Sequence, residues 1–439
     1  MTVKILLIGK TARADCIAEA IKKSAQKVEL YSYMDAKNPG VIKKSAKFKF
    51  GDTLDFENVK KFASENKVDF AFLGPDDPIA IGAADELERI GIPSIGPKKE
   101  LAKLESSKSF ARELIIKYKI PGNPKFKIFE NIEGIKEFIE SLNGFVIKPD
   151  GLTGGKGVKV QDDHLKDVND AIKYCKEVLG KHPRVIVEEK LEGEEFSLQS
   201  LTDGVNVVDC VVAQDHKRAY ENDTGPNCGG MGSYSCENHL LPFLKKKDLQ
   251  TAHEISVKVA KALLEETGEK YKGVLYGGFI LTKDGVKIIE YNSRFGDPEV
   301  MNCLPILESD FVDACYGVIE NNLKQKHLEF AKKATVCKYV VPKGYPENPV
   351  RSAVVDISKI ESKRVNVYYG AVNEENGKLL MTGSRAISIV GIGNTLSDAE
   401  QKAQHAIETV KGEIFYRKDI GTAKLIEKRV QHMKQILGK

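Results

Sequence analysis

The chain has 439 residues, 41% hydrophobic and 30% charged, a soluble globular composition with length for roughly three domains. Its 67 Lys+Arg against 63 Asp+Glu leave a net charge of +4, too balanced to argue for nucleic acid. No apolar run approaches the ~18–20 residues needed to span a bilayer, which argues against a membrane protein. The opening MTVKILLIGK lacks a basic n-region and a cleavage site and reads as a first strand rather than a leader. The eight cysteines contain no C-x-x-C pair and read as reduced cytosolic thiols. The eight histidines are too dispersed for a His-rich metal centre.

In chain order, VKILLIG (3–9) has the pattern of a buried strand, followed by helical spacing of Ala14, Ile17, Ala18 and Ile21. VELYSY (28–33) and DFAFLGP (69–75) are further strands, residues 79–90 a helix, and PSIGP (93–97) an extended return. This alternation predicts a parallel α/β domain ending near residue 100, with ligands at the carboxyl ends of its strands, where Gly9-Lys10 and Gly74 to Pro78 lie. Residues 101–119 are strongly helical and stopped by Ile120-Pro121-Gly122. Residues 125–190 form a compact unit: strand 126–129, helix 133–142, a hairpin, helix 165–179 and strand 184–191. Long strand-like runs at 194–215 and 274–291 flank a helix at 249–267, and 301–322 reads as one helix. From about 334 the pattern becomes short strands and one helix, 396–411, a small closing α+β domain.

Four stretches carry chemistry. FVIKPDGLTGGKGVKV (145–160) is a strand–Gly/Lys loop–strand hairpin, with Lys148 at the strand end and Lys156 in the loop. Glycine backbone and lysine charge suit a flexible lid over a polyphosphate, although the same stretch would also serve as an ordinary hairpin. Walker A spacing is absent. VIVEEKLEGEEFS (185–197) places Glu188 and Glu195 where an adenine amine and ribose hydroxyls would need acceptors; the alternative is a solvated strand end. In VKIIEYNSRFGDPE (286–299), Glu290 and Asn292 share a strand face as two oxygen ligands for Mg²⁺, and Arg294 continues that face toward a γ-phosphate or acyl phosphate. A cross-strand ion-pair network is the competing reading. QDHKRAYENDTGPNCGGMGSYS (214–235) is a long, polar, glycine-rich loop whose Asp215, His216, Lys217 and Arg218 suit a phosphate, carboxylate or ammonium ligand.

Taken together, these stretches, with GPDDPIAIGAADELERIGIPSIGP and YRKDIG (416–421), resemble in order the phosphoribosylamine–glycine ligase family of ATP-grasp enzymes in purine biosynthesis. The resemblance runs nearly end to end. It implies an α/β and α+β multidomain fold: an N-terminal parallel α/β (pre-ATP-grasp) domain at 1–100, an ATP-grasp core at 101–124 and 191–333, a lid subdomain at 125–190 and a C-terminal α+β domain at 334–439. It implies ATP, Mg²⁺ or Mn²⁺, and the substrates glycine and 5-phosphoribosylamine, in a cytoplasmic monomer or weak homo-oligomer. It implies that Lys108 and Lys148 bind phosphate, that Gly154, Gly155, Lys156 and Gly157 form the mobile loop, and that Glu188, Leu191 and Glu195 meet the nucleoside. Lys148, Lys156 and Arg294 would be catalytic, and Glu290 and Asn292 would hold the metal. Lys10, Arg13, Asp76, Asp215, Lys217, Asn292, Arg294 and Asp297 would bind the other substrates.

The chain departs from the family at one turn. The family has G-x-G-G-R-E-H after the first strand, and here Gly9-Lys10-Thr11-Ala12-Arg13-Ala14-Asp15 keeps only the first glycine and the arginine. Asp76 stands where the family commonly has Glu. Lys10 and Arg13 remain at a helix N-terminus, a setting that suits phosphate. The amine acceptor is therefore the expectation most open to change, with a non-catalytic nucleotide-binding homologue as the reading from another class.

Overall fold

The computed structural model describes residues 2–154 and 157–438; Gly155 and Lys156 of the hairpin lie outside the described residues. The N-terminal sheet is five-stranded and wholly parallel, in the order Lys47–Phe50, Val28–Met34, Val3–Ile8, Phe70–Leu73, Ser94–Ile95. Both of its faces are covered, which is why VKILLI is continuously apolar: Ile5 and Leu7 enter one core and Leu6 and Ile8 the other. The chain order reverses between Val3–Ile8 and Phe70–Leu73, so the crevice of this sheet opens beside Gly9 and Gly74.

Residues 125–190 form a four-stranded antiparallel sheet, ordered Phe126–Phe129, Val185–Glu189, Phe145–Pro149, Lys159–Val160. Helices Ile135–Glu140 and Val168–Leu179 close over Phe129, Phe145, Ile147 and Val187, a core separate from the rest of the molecule. The central sheet is ordered Val207–Asp209, Glu194–Thr202, Gly273–Thr282, Gly285–Asn292, and is backed by the helix Lys246–Thr267.

Residues 214–235, expected as a loop, instead contain four short strands. Gln214–Asp215 and Gly232–Ser235 join the C-terminal sheet, where Gly232–Ser235 pairs antiparallel with Ala334–Pro342. Three expected helices are broken. Residues 79–90 split at Gly82. Residues 101–119 split into Lys99–Ser106 and Lys108–Lys117 because the Ser107 hydroxyl caps the second helix at Phe110 N, 3.2 Å. Residues 301–322 split after Cys303, where Pro305 removes a backbone donor, and resume at Phe311–Ile319 with Asp310 as cap. The C-terminal part adds a second long helix, Ala423–Ile436, to the expected one at Leu396–Glu408. All eight cysteines are buried free thiols, and no described helix is long and apolar enough to cross a membrane.

Candidate active site

A cleft of about 550 Å³ lies between the parallel sheet, the central sheet, the 125–190 unit and the 214–235 segment. A β-bulge shapes its floor. Gly278 faces Glu290 while Phe279 faces Ile288, so Ile289 is the extra residue. The Ile289 carbonyl accepts from Arg112 Nη2 at 2.8 Å and Lys148 Nζ at 3.2 Å. Arg112 also donates to Ile288 O (3.2 Å) and Asn123 Oδ1 (3.0 Å), and grips Glu188 through two parallel bonds of 2.7 and 3.0 Å. Lys148 Nζ lies 2.7 Å from Glu188 Oε2.

All three side chains are buried. Burial alone would raise the Glu188 carboxyl, but Arg112 and Lys148 outweigh it and lower it to about 2. On Lys148 burial wins, and its ammonium falls below its ordinary value despite Glu188. This lysine would gain from a further anion. Glu188, expected to meet the adenine amine, has both carboxylate oxygens engaged by these cations. Sequence reading missed Arg112; the available signal was a charge on an otherwise apolar helix face beside Ala111, Leu114 and Ile115.

Glu290 is built the other way. Its carboxylate makes no hydrogen bond or ion pair among the described residues, yet Lys217, Lys108, Lys148 and Arg294 overcome its burial and hold it below the usual carboxylate range. Asn292 Oδ1, two residues on and on the same face, accepts one bond, from Arg294 Nη2 at 3.2 Å. An unpaired carboxylate beside a half-used amide oxygen fits a hard divalent cation. Arg294 is oriented by Glu105 Oε1 (3.0 Å) and lies 5.9 Å over the Tyr276 ring, while its buried Nε has no partner among the described residues.

A second carboxylate pair closes one end of the cleft. Asp215 is raised well above its ordinary value, first by burial and then by Glu299. Glu299 accepts from Tyr276 Oη at 2.6 Å. A Cβ on Gly230 would collide with Asp215, and one on Gly296 with Glu299, so both acids sit against bare backbone. Lys217 bonds Glu195 at 2.8 Å. Arg385, from the C-terminal part, donates to Gly230 O (3.2 Å) and Asp297 O (2.6 Å) and lies 4.7 Å over the Tyr339 ring. Sequence reading missed Glu105, Glu299 and Arg385. Glu299 lay within the motif at 286–299, and Glu105 lay near Lys108 in LESSKSFARE (104–113).

The remaining expected residues divide. Arg13, Asp76, Lys108, Gly154, Asp215, Lys217 and Asp297 line the cleft with those above. Arg13 Nη1 donates to Phe295 O at 2.7 Å, and Lys108 Nζ to Gly151 O at 2.7 Å. Lys10 is not among the lining residues; its ammonium is drawn to Asp35, 2.6 Å away. Leu191 and Gly157 are also absent from the lining, and the Gly157 carbonyl is engaged by Tyr174 Oη at 2.7 Å. His216 is buried on the wall. With Nδ1–H donated to Gly232 O (3.2 Å), its Nε2 is a neutral acceptor without a partner among the described residues, and burial with Arg417 and Arg429 lowers the ring to about 3.

The chain matches three models of one family: phosphoribosylglycinamide synthetase N domain over residues 3–105, its ATP-grasp (A) domain over 106–300 and its C domain over 335–423. It is 50% identical to a phosphoribosylamine–glycine ligase of Methanococcus vannielii, covering 99% of this chain and 100% of that protein. It is 48% identical to the Methanocaldococcus jannaschii protein of the same name, with 99% of each covered. Among solved structures, the phosphoribosylamine–glycine ligase of Thermotoga maritima superimposes with a TM-score of 0.81 at 27% identity, over 95% of this chain and 100% of that one. The biotin carboxylase domain of Hydrogenobacter thermophilus 2-oxoglutarate carboxylase, solved with MgADP and bicarbonate, shares the fold with a TM-score of 0.72 at 15% identity, over 98% of this chain and 93% of that one.

Proposed function

This chain belongs to the phosphoribosylglycinamide synthetase family, and from that premise we propose that its cleft joins glycine to 5-phosphoribosylamine at the expense of ATP. The observation that carries the reading is Glu290: a carboxylate ringed by four cations and bonded to none of them among the described residues. Such a group is held charged without being used up in an ion pair among the described residues, and it is suited to a Mg²⁺–polyphosphate ligand. Mg²⁺, or Mn²⁺, on Glu290 and Asn292 would neutralise phosphate charge and polarise the γ-phosphoryl group.

A carboxylate is a poor electrophile. Glycine must first take the γ-phosphoryl of ATP: a glycine carboxylate oxygen bonds to phosphorus as the bond to ADP breaks. The amine of phosphoribosylamine then forms the C–N bond, phosphate leaves, and the amine's surplus proton leaves with it or passes to solvent. Lys148, short of negative charge, and Arg294, with an unused N–H, face the transferring group. Asp215 and Glu299 hold the glycine ammonium in a space bounded by Gly230 and Gly296. Arg13 and Asp297, at the crevice of the parallel sheet, bind the phosphorylated amine. The lid is the unit we assign to residues 125–190.

The test is ADP release from the purified chain. Release that requires both glycine and phosphoribosylamine supports the reading. Release with glycine and a different amine redirects the acceptor, as the altered Gly9–Asp15 turn would allow. Saturable ATP binding without any turnover sinks it.

A further inference from the structure

Arg218 and Asp163 face each other across the cleft. Arg218 Nη2 lies 2.7 Å from Asp163 Oδ2, and both residues line the cavity. They belong to different bodies. Asp163 sits in a tight turn of the 125–190 unit, closed by Asp162 N to Leu165 O and His164 N to Val160 O, each 2.9 Å. Lys190, just past the strand Val185–Glu189, staples that turn through Gln161 O (2.8 Å) and Asp162 (3.1 Å). Arg218 stands on the 214–235 segment. Its Nη1 donates to Gly225 O at 3.0 Å, and its own carbonyl accepts from Arg417 Nη1 at 3.1 Å. Arg417 is almost fully buried and ion-paired to Asp223 (3.1 Å) and Asp419 (2.8 Å).

The partner of Asp163 is thus a post anchored through the C-terminal part of the chain. Other polar ties between the 125–190 unit and the rest have a different base: Arg112 to Glu188, Lys108 to Gly151 O and Ser107 to Asp150 spring from the 107–112 stretch, and Lys148 reaches Ile289 O on the central sheet. We propose that Arg218–Asp163 is the clasp that holds the lid shut over bound nucleotide, with Arg218 and Asp163 acting as positioning residues. The proposal rests on the ATP-dependent reading above. It assigns to Arg218 a task that the cationic cluster of residues 215–218 did not specify. A half-exposed ion pair contributes modestly and is screened by salt. The expected effect is therefore on how long the lid stays closed.

The experiment is stopped-flow release of N-methylanthraniloyl-ADP from the full chain with Mg²⁺. At low salt Asp163→Asn should release nucleotide about 2–5-fold faster than the wild type, the range an ion pair of this exposure commands. The two rates should converge near ~1 M NaCl, because only the wild type has a pair to screen. Asp163→Glu should return the rate to within about twofold, and the KM for ATP should rise in Asp163→Asn while that for glycine stays unchanged. Equal release rates for wild type and Asp163→Asn at low salt overturn the clasp and leave the ligase reading intact. A wild type that binds no adenine nucleotide overturns both.

Discussion

Two buried carboxylates stand within one cleft and are built in opposite ways. Around Glu188 every oxygen is taken by Arg112 or Lys148, and Arg112 is itself pinned by three further acceptors. Around Glu290 the same kinds of cation gather but none touches it among the described residues. At the Glu188 carboxylate the first arrangement is filled by the protein alone and ties the 125–190 unit to the bulged strand, while Lys148 keeps capacity for a further anion. The second is complete only when something else arrives. Saturation marks a structural charge cluster, and an unsatisfied charge held in place by its neighbours marks a binding one.

That contrast can be broken by substitution. Arg112→Met leaves Glu188 buried without its main partner and should destabilise the chain by about 3–5 kcal/mol in urea unfolding, with much of the loss recovered by adding Glu188→Gln. A loss below ~1 kcal/mol would put Glu188 in the same class as Glu290. Next in size is a pH effect. The folded Glu188 carboxyl, at about 2, lies below its unfolded value, so its contribution is fully present above the unfolded value. That contribution, roughly 3 kcal/mol, is lost as pH falls from ~4.5 toward 2. Glu188→Gln should flatten this part of the stability–pH curve, and an unaltered slope would remove the ion-paired reading.

Glu290→Ala should lower turnover about 100-fold or more at limiting Mg²⁺ while costing less in urea unfolding than Arg112→Met, since it removes a carboxylate that nearby cations favour without a direct bond. A large fall in stability with little loss of turnover would make Glu290 structural. The smallest expected change is at Arg13. Arg13→Ala should raise the KM for the phosphorylated amine roughly 5–10-fold more than that for glycine, as loss of a charge-assisted contact would. An equal rise for both would take Arg13 out of phosphate recognition.

Much of this was legible in the chain. The strand VKILLI declared a sheet covered on both faces, and Glu290 and Asn292 declared a shared face by their spacing of two. Arg112 was not legible as a ligand of Glu188, 76 residues away, because a helix arginine carries no mark of its partner. Nor did Asp55 and Thr422 suffice to reveal the helices Phe56–Asn66 and Ala423–Ile436, though both cap them with side-chain oxygens. The strand end marked Lys10 as a candidate phosphate ligand but gave no sign of Asp35, on the neighbouring strand's exit, 2.6 Å from its ammonium.

By itself the order of residues determined which short runs would be strands, where glycines and lysines would cluster, and which family these motifs resemble, because hydrophobic period and turn chemistry act over a few residues. Only the folded molecule decided that residues 214–235 would be partly built into the C-terminal sheet, that Arg385 would reach Asp297 from the last quarter of the chain, and that Glu188 would be filled while Glu290 stayed open. Those outcomes depend on which charges meet after distant strands pair, and the Coulomb and desolvation terms that separate a filled carboxylate from an open one exist only once both are buried together.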